Sequence, residues 1–274
     1  DVCSSDLFST NLPHGPVDIP PEENTYAGSP SIRQAYGNAS GTNRECAGAA
    51  EEYASMVDKL DRQVGAIVDQ VRKLGLDKRT IIIFSSDNGH ELYYRTDKGR
   101  GRGPDCHGGV LDGTGELLDV FRGSRGRVGP NNAMANLAGL KWTSHEGGIR
   151  VPLIISWPGT LPYGKVCHGL VANYDHMASF ADLAGVRMPE GKDAVSYIEI
   201  LSGNSARQRD YVVVDHTVIT GDGWKLTQKQ NKPFLFQIGK DPEERHNLAE
   251  TRKDQLEKLR AIYRKEVGSP RKDR

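Results

Sequence analysis

The chain has 274 residues, with 36 Lys+Arg against 36 Asp+Glu and no formal net charge. That balance argues against a protein that binds nucleic acid by neutralising phosphates. The length suits one sizeable α/β domain, alone or with a small subdomain, and no window approaches the ~18–20 apolar residues of a membrane span.

The first seven residues show no periodicity, no initiating Met and no signal-peptide pattern, and are set aside from fold reasoning. Asn11–Pro16 and Ile19–Glu22 are rich in proline, which restricts itself and the residue before it, so both stretches are expected to be extended or turning. Tyr53, Met56, Val57, Leu60, Val64, Ile67, Val68, Val71 and Leu74 recur at three- and four-residue steps and predict a helix over Glu51–Leu74, closed by Gly75. Thr80–Phe84 is a continuously apolar, β-branched run, the pattern of a strand covered on both faces in a parallel sheet. Tyr94–Leu140, rich in Gly, Arg, Asn and Asp, is too long for an ordinary connection and reads as an insertion or functional surface loop. Val151–Trp157 is a second buried strand, and Leu170–Leu183 a helix ending at Gly185. Tyr211–Val214 and Trp224–Thr227 read as strands of an antiparallel sheet, with Phe234–Phe236 after them and a charged amphipathic helix over Lys253–Val267.

Cys3, Cys46, Cys106 and Cys167 form no C-x-x-C pair and no zinc spacing, which excludes a disulfide scaffold but leaves the redox compartment open. Asn38-Ala39-Ser40 matches a glycosylation sequon.

Three segments carry chemistry. Asp87 and Asn88, on a Gly-flanked turn directly after an apolar strand, offer hard oxygen ligands at a strand's C-terminal end, where ligands gather in open α/β sheets. Taken alone, Asp-Asn-Gly reads first as an ordinary turn. Lys141 precedes Glu146-Gly147-Gly148-Ile149-Arg150, and cationic side chains near a cation site suit a tetrahedral oxyanion. Pro13-His14-Gly15-Pro16 holds a His on a stiff loop, where it can hydrogen-bond an oxyanion or protonate a leaving group. Each has a bland reading as well, a solvated charge or a packed loop His.

Together these segments, in this order, resemble the formylglycine-dependent sulfatases of the alkaline phosphatase superfamily. The resemblance runs from about Leu12 to Leu248. It is carried by Tyr53, Leu60-Asp61, Val64-Gly65, Leu74-Gly75-Leu76, Thr80-Ile81, Phe84 and Ser86-Asp87-Asn88-Gly89, then by Lys141 and Glu146–Pro152. Trp157-Pro158-Gly159, Phe180, Leu183-Ala184-Gly185, Trp224-Lys225-Leu226, Leu235-Phe236, Asp241–Glu244 and Asn247-Leu248 continue it. The resemblance implies an α/β fold: an alkaline-phosphatase-like mixed sheet flanked by helices, truncated at the N-terminus, with a small C-terminal antiparallel subdomain. It implies a core over 8–205 and a subdomain over 206–274. It further implies metal ligation by Asp87 and Asn88, with Ca²⁺ expected and Mg²⁺ as the alternative, and sulfate contacts from the catalytic Lys141 and His14. Glu146 and Arg150 are expected to hold their loop by ion pairing rather than take part in chemistry.

In the family, a formylglycine made from Cys or Ser is the nucleophile. None of the four cysteines has that context, and Gly28-Ser29-Pro30-Ser31 places Gly28 at the nucleophile position. The family's early Asp-Asp metal pair is also not found. The chain is therefore expected to be the C-terminal portion of a longer sulfatase, cut before Leu7, with no turnover by itself and with apolar surface exposed. The implied activity is release of sulfate from a sulfated carbohydrate or aryl ester. The alternatives are a phosphodiesterase or phosphonate hydrolase of the same superfamily and a non-catalytic sulfatase-like binding module. Arg95, Lys98, Arg100, Arg102, Arg122, Arg125 and Arg127 are candidates for contact with an acidic glycan, against a solvated loop. Family resemblance implies an exported parent.

Overall fold

The computed structural model describes residues 7–14, 19–37, 43–89, 137–138, 141, 143–203, 209–229 and 232–268. Those up to Leu76 fall in one compact unit and those from Asp77 onward in a second. The sequon, Cys3, Cys106, His90 and the basic residues expected over 95–127 lie outside the described residues.

In the first unit, the proline-rich loop carries a cis Leu12–Pro13 bond and a 3-10 turn at Pro21–Glu23. Helix α1 (Pro30–Gly37) packs on helix α2 (Asn43–Lys73). The helix expected from Glu51 thus starts eight residues earlier, because Asn43–Ala50 carry no apolar stripe and are held by alanine-rich helix propensity. Its end is as expected. Gly75 has φ +66, its N–H reaches Arg72 O at 2.9 Å, and Leu76 N–H reaches Val71 O at 3.1 Å, the paired bonds of a Schellman cap. Met56 and Ile19 form a small core with Leu12 and Tyr53 against it. Beside it, buried Glu51 accepts Arg33 Nε at 2.7 Å, and Ser55 Oγ accepts Tyr26 N–H at 3.1 Å. Burial pushes the Glu51 carboxyl up, but the Arg33 guanidinium and the Gly28 N–H outweigh it and hold the group below its ordinary value.

In the second unit, strand β1 (Ile82–Ser85) pairs antiparallel with β2 (Leu153–Ser156), with Ile83 opposite Ile155 and Phe84 opposite Ile154. Trp157 Nε1 donates to Lys78 O at 3.0 Å, fastening the end of β2 to the turn before β1. The parallel, doubly covered strand expected over Thr80–Phe84 is corrected: β1 is half-buried and Leu153 and Ile154 are exposed. An apolar run records the affinity of its side chains for cover, and says nothing of the direction of its neighbour. Among the described residues between the strands is one helical turn, α3 (Glu146–Ile149). Helix α4 (Asp175–Ala184) starts five residues later than expected. The Asp175 carboxylate accepts Ala172 N–H at 2.8 Å, so the chain before it is spent on a turn. A short α5 (Ile198–Leu201) follows.

Strands β3 (Tyr211–Val214), β4 (Thr217–Thr220), β5 (Trp224–Lys229) and β6 (Lys232–Gln237) form an antiparallel meander in that order. Helix α6 (Lys253–Glu266) lies across β4 and β5. Trp224, Leu226, Leu235, Leu256, Leu259 and Tyr263 make its core. Side chains alternate along a strand, so Trp224 and Leu226 face α6 while Lys225 between them faces away, wholly buried.

Candidate functional site

β1 delivers the chain to the Asp87–Gly89 turn, which its own polar atoms shape. Ser86 Oγ donates to Asn88 O at 2.9 Å, Asn88 N–H to Asp87 Oδ1 at 2.9 Å, and Asn88 Nδ2 to Gly89 O at 2.8 Å. Asp87 Oδ2 and Asn88 Oδ1 make no hydrogen bond among the described residues. Asp87 is exposed and Asn88 half-buried. Both are hard oxygen donors of the kind Ca²⁺ or Mg²⁺ takes, so the residues present fit a divalent cation in type. They are two donors where Ca²⁺ takes about six to eight, and among the described residues no group of three or more His, Cys, Asp or Glu gathers to hold a metal.

Gly89 joins this turn to the second motif. Its N–H donates to Gly148 O at 2.8 Å, and a Cβ there would run into the Gly147 carbonyl, so only glycine permits the approach. Lys141 lies in a half-buried turn five residues before α3. The Gly147-Gly148 pair is part of α3, a helical turn rather than a loop feeding a strand.

Beneath α3 is a buried charged quartet that reading the sequence did not identify. Lys225 Nζ donates to Glu244 Oε1 at 2.8 Å and to Glu146 Oε1 at 3.1 Å. Glu146 N–H donates to Glu244 Oε1 at 2.9 Å, and His145 Nδ1 is 2.7 Å from Glu244 Oε2. A carboxylate only accepts, so His145 carries the proton on Nδ1. Burial pushes the Glu244 carboxyl up, but the Lys225 and His145 charges and their hydrogen bonds prevail and hold it down at about 2. Glu146 also pairs with Arg150 at 3.9 Å, the ion pairing expected of these two. Lys225 stood in a matching motif, but nothing in the sequence linked it to residues 79 positions away.

A second buried knot orders α4. Asp175 accepts Arg209 Nε at 3.1 Å and Val195 N–H at 2.9 Å, and His176 Nδ1 meets Tyr197 OH at 2.7 Å. Burial pushes Tyr197 up to about 12. His14 belongs to the first unit, exposed on its loop, with its N–H on Asn11 O at 2.6 Å. Asp87, Asn88 and Lys141 belong to the second unit, and Cys167 is exposed there.

The sulfatase family model matches residues 7–186, and the model of the N-sulphoglucosamine sulphohydrolase C-terminal region matches 141–272. An N-acetylgalactosamine-6-O-sulfatase of Bacteroides thetaiotaomicron is 25% identical over 223 residues, 73% of this chain and 39% of that protein. Among solved structures, Ps i-CgsB is similar with TM-score 0.62 and 22% identity over 93% of this chain and 48% of its own. A protein solved with its substrate D-glucosamine-2-N,6-O-disulfate gives TM-score 0.56 and 20% identity over 80% of this chain and 40% of its own. The chain thus spans less than half the length of these relatives, and shares the alkaline-phosphatase-like fold of the solved ones. With the family model extending over well over half of its residues, the chain belongs to the sulfatase family.

Proposed function

We propose that the chain supplies part of the site of a sulfuric ester hydrolase that releases sulfate from a sulfated carbohydrate. Asp87 and Asn88 hold a divalent cation, Ca²⁺ first and Mg²⁺ second, through side-chain oxygens. When bound, the cation supplies positive charge to offset the charge that grows on the sulfuryl oxygens. Lys141 adds a second positive charge to the same oxyanion. Residues 8–205 form the sulfatase core and 206–274 the C-terminal subdomain of an exported parent. The reading is carried by the Gly89–Gly148 hydrogen bond, which ties the carboxylate–amide turn to the segment that follows Lys141. A sulfated amino sugar is the substrate class, in keeping with the names of the Bacteroides relative and of the disulfated glucosamine complex.

The test is calorimetric titration of calcium chloride into the 274-residue chain, then of sodium sulfate and sodium phosphate into the calcium-loaded chain. Asp87→Ala is expected to weaken calcium binding by at least about tenfold, through loss of one charged ligand. Sulfate is expected to bind in competition with an aryl sulfate. Equal calcium affinity in parent and variant overturns the cation site. Tighter binding of phosphate than of sulfate moves the assignment to a phosphodiesterase or phosphonate hydrolase.

A further inference from the structure

Glu244 stands in an unusual position. It ends a turn in which its own N–H bonds Asp241 O at 3.0 Å, and it holds φ +51, a conformation a non-glycine residue keeps only when its surroundings over-determine it. What determines it is the quartet. One carboxylate takes Lys225 Nζ and Glu146 N–H on Oε1 and faces His145 Nδ1 on Oε2. All four residues are buried, and Glu244 reaches across 98 and 99 positions of sequence to two consecutive residues of the Lys141–Gly148 segment. Two further backbone bonds run alongside. Ala138 N–H donates to Pro242 O at 3.0 Å, and Gly147 N–H to Ala138 O at 2.5 Å. The next residue, Gly148, accepts from Gly89.

We propose that Glu244 is a positioning residue: from the connection after the four-stranded sheet it fixes α3, and through Gly148 it sets the place of the Asp87–Gly89 turn. The C-terminal sheet, which contributes no ligand, would thereby govern the geometry of the cation and anion site. This deepens the sulfatase reading and rests on it for its functional meaning, while the positional claim stands on the hydrogen bonds alone. Replacing the carboxylate by an amide turns one acceptor into a donor that confronts the His145 Nδ1 proton, and removes one of the two carboxylate charges that face Lys225.

The experiment is residue-resolved amide hydrogen exchange on the full 274-residue chain, comparing the parent with E244Q and E244D. Exchange at Glu146 and at Gly89, which Glu244 does not touch, is expected to rise by about tenfold or more in E244Q relative to Leu226 and Leu235, and less in E244D. A rise at Glu146 without Gly89, or an equal rise at Leu226 and Leu235, overturns the proposal. Should E244Q fail to fold, the ratio of Gly89 to Leu235 exchange in E244D decides by the same criterion. A parallel sodium sulfate titration separates the two readings. A parent that binds no sulfate removes the sulfatase site and leaves the exchange result to judge the positioning.

Discussion

Single residues set the chemistry of the second unit by where their charges are forced to stay. Lys225 and Glu244 are both out of water, and desolvating two ions costs several kcal/mol each unless every lone pair and proton finds a partner. Here two carboxylates, one ammonium, one imidazole and a backbone N–H satisfy one another. The consequence for pH follows from sign. Glu244 titrates at about 2 in the fold, against an ordinary 4.5. The stability it contributes is therefore complete above pH 4.5 and is lost as pH falls from there towards 2. Urea unfolding between pH 6 and pH 3 is expected to show this fall in the parent and a shallower one in E244Q; parallel slopes would remove Glu244 from acid sensitivity. Asp87, Asn88, Lys141 and His14 were singled out in the sequence as candidates because their signals are local. The quartet was not, because its members are up to 99 positions apart and a lone Lys in a strand reads as surface.

At the scale of elements, agreement follows period and caps. Helix ends marked by glycine came out as expected at Gly75 and Gly185, where a left-handed residue completes the cap. β4 was overlooked because Asp215-His216 makes its two-residue turn with φ +51 at Asp215, without the glycine that usually announces such a hairpin. The charged final helix owes its place to a narrow apolar seam, in which Leu259 is 1% exposed against the sheet. Leu259→Ala is expected to cost about 2–5 kcal/mol of stability, read as a lower urea midpoint at unchanged slope. The same change at exposed Lys258 should cost no more than about 0.5 kcal/mol. Equal midpoints for the two variants would mean that the helix is not packed as described.

Across the whole molecule, two quantities meet: no net charge and considerable apolar exposure. Leu74, Ile154 and Val186 are each at least 60% exposed, and the isoelectric point is near 7.2. Exposed apolar side chains without a repelling net charge favour association. Light scattering is expected to give a larger mean radius at pH 7.2 than at pH 9, and an equal, monomeric radius at both would contradict this. The exposed strand residues also explain why Thr80–Phe84 and Val151–Trp157 looked like core: their composition demands cover, and composition cannot tell which partner gives it. The sequence by itself determined the family, the helices with a clear apolar period, and the three short motifs, because each is written in neighbouring residues. Only the tertiary structure decided that β1 and β2 run antiparallel, that Gly89 meets Gly148, and that Lys225 turns inward to a pair of carboxylates. Those depend on which distant segments share a dry interior, and burial strengthens a charge pair only once folding has excluded the water between its members.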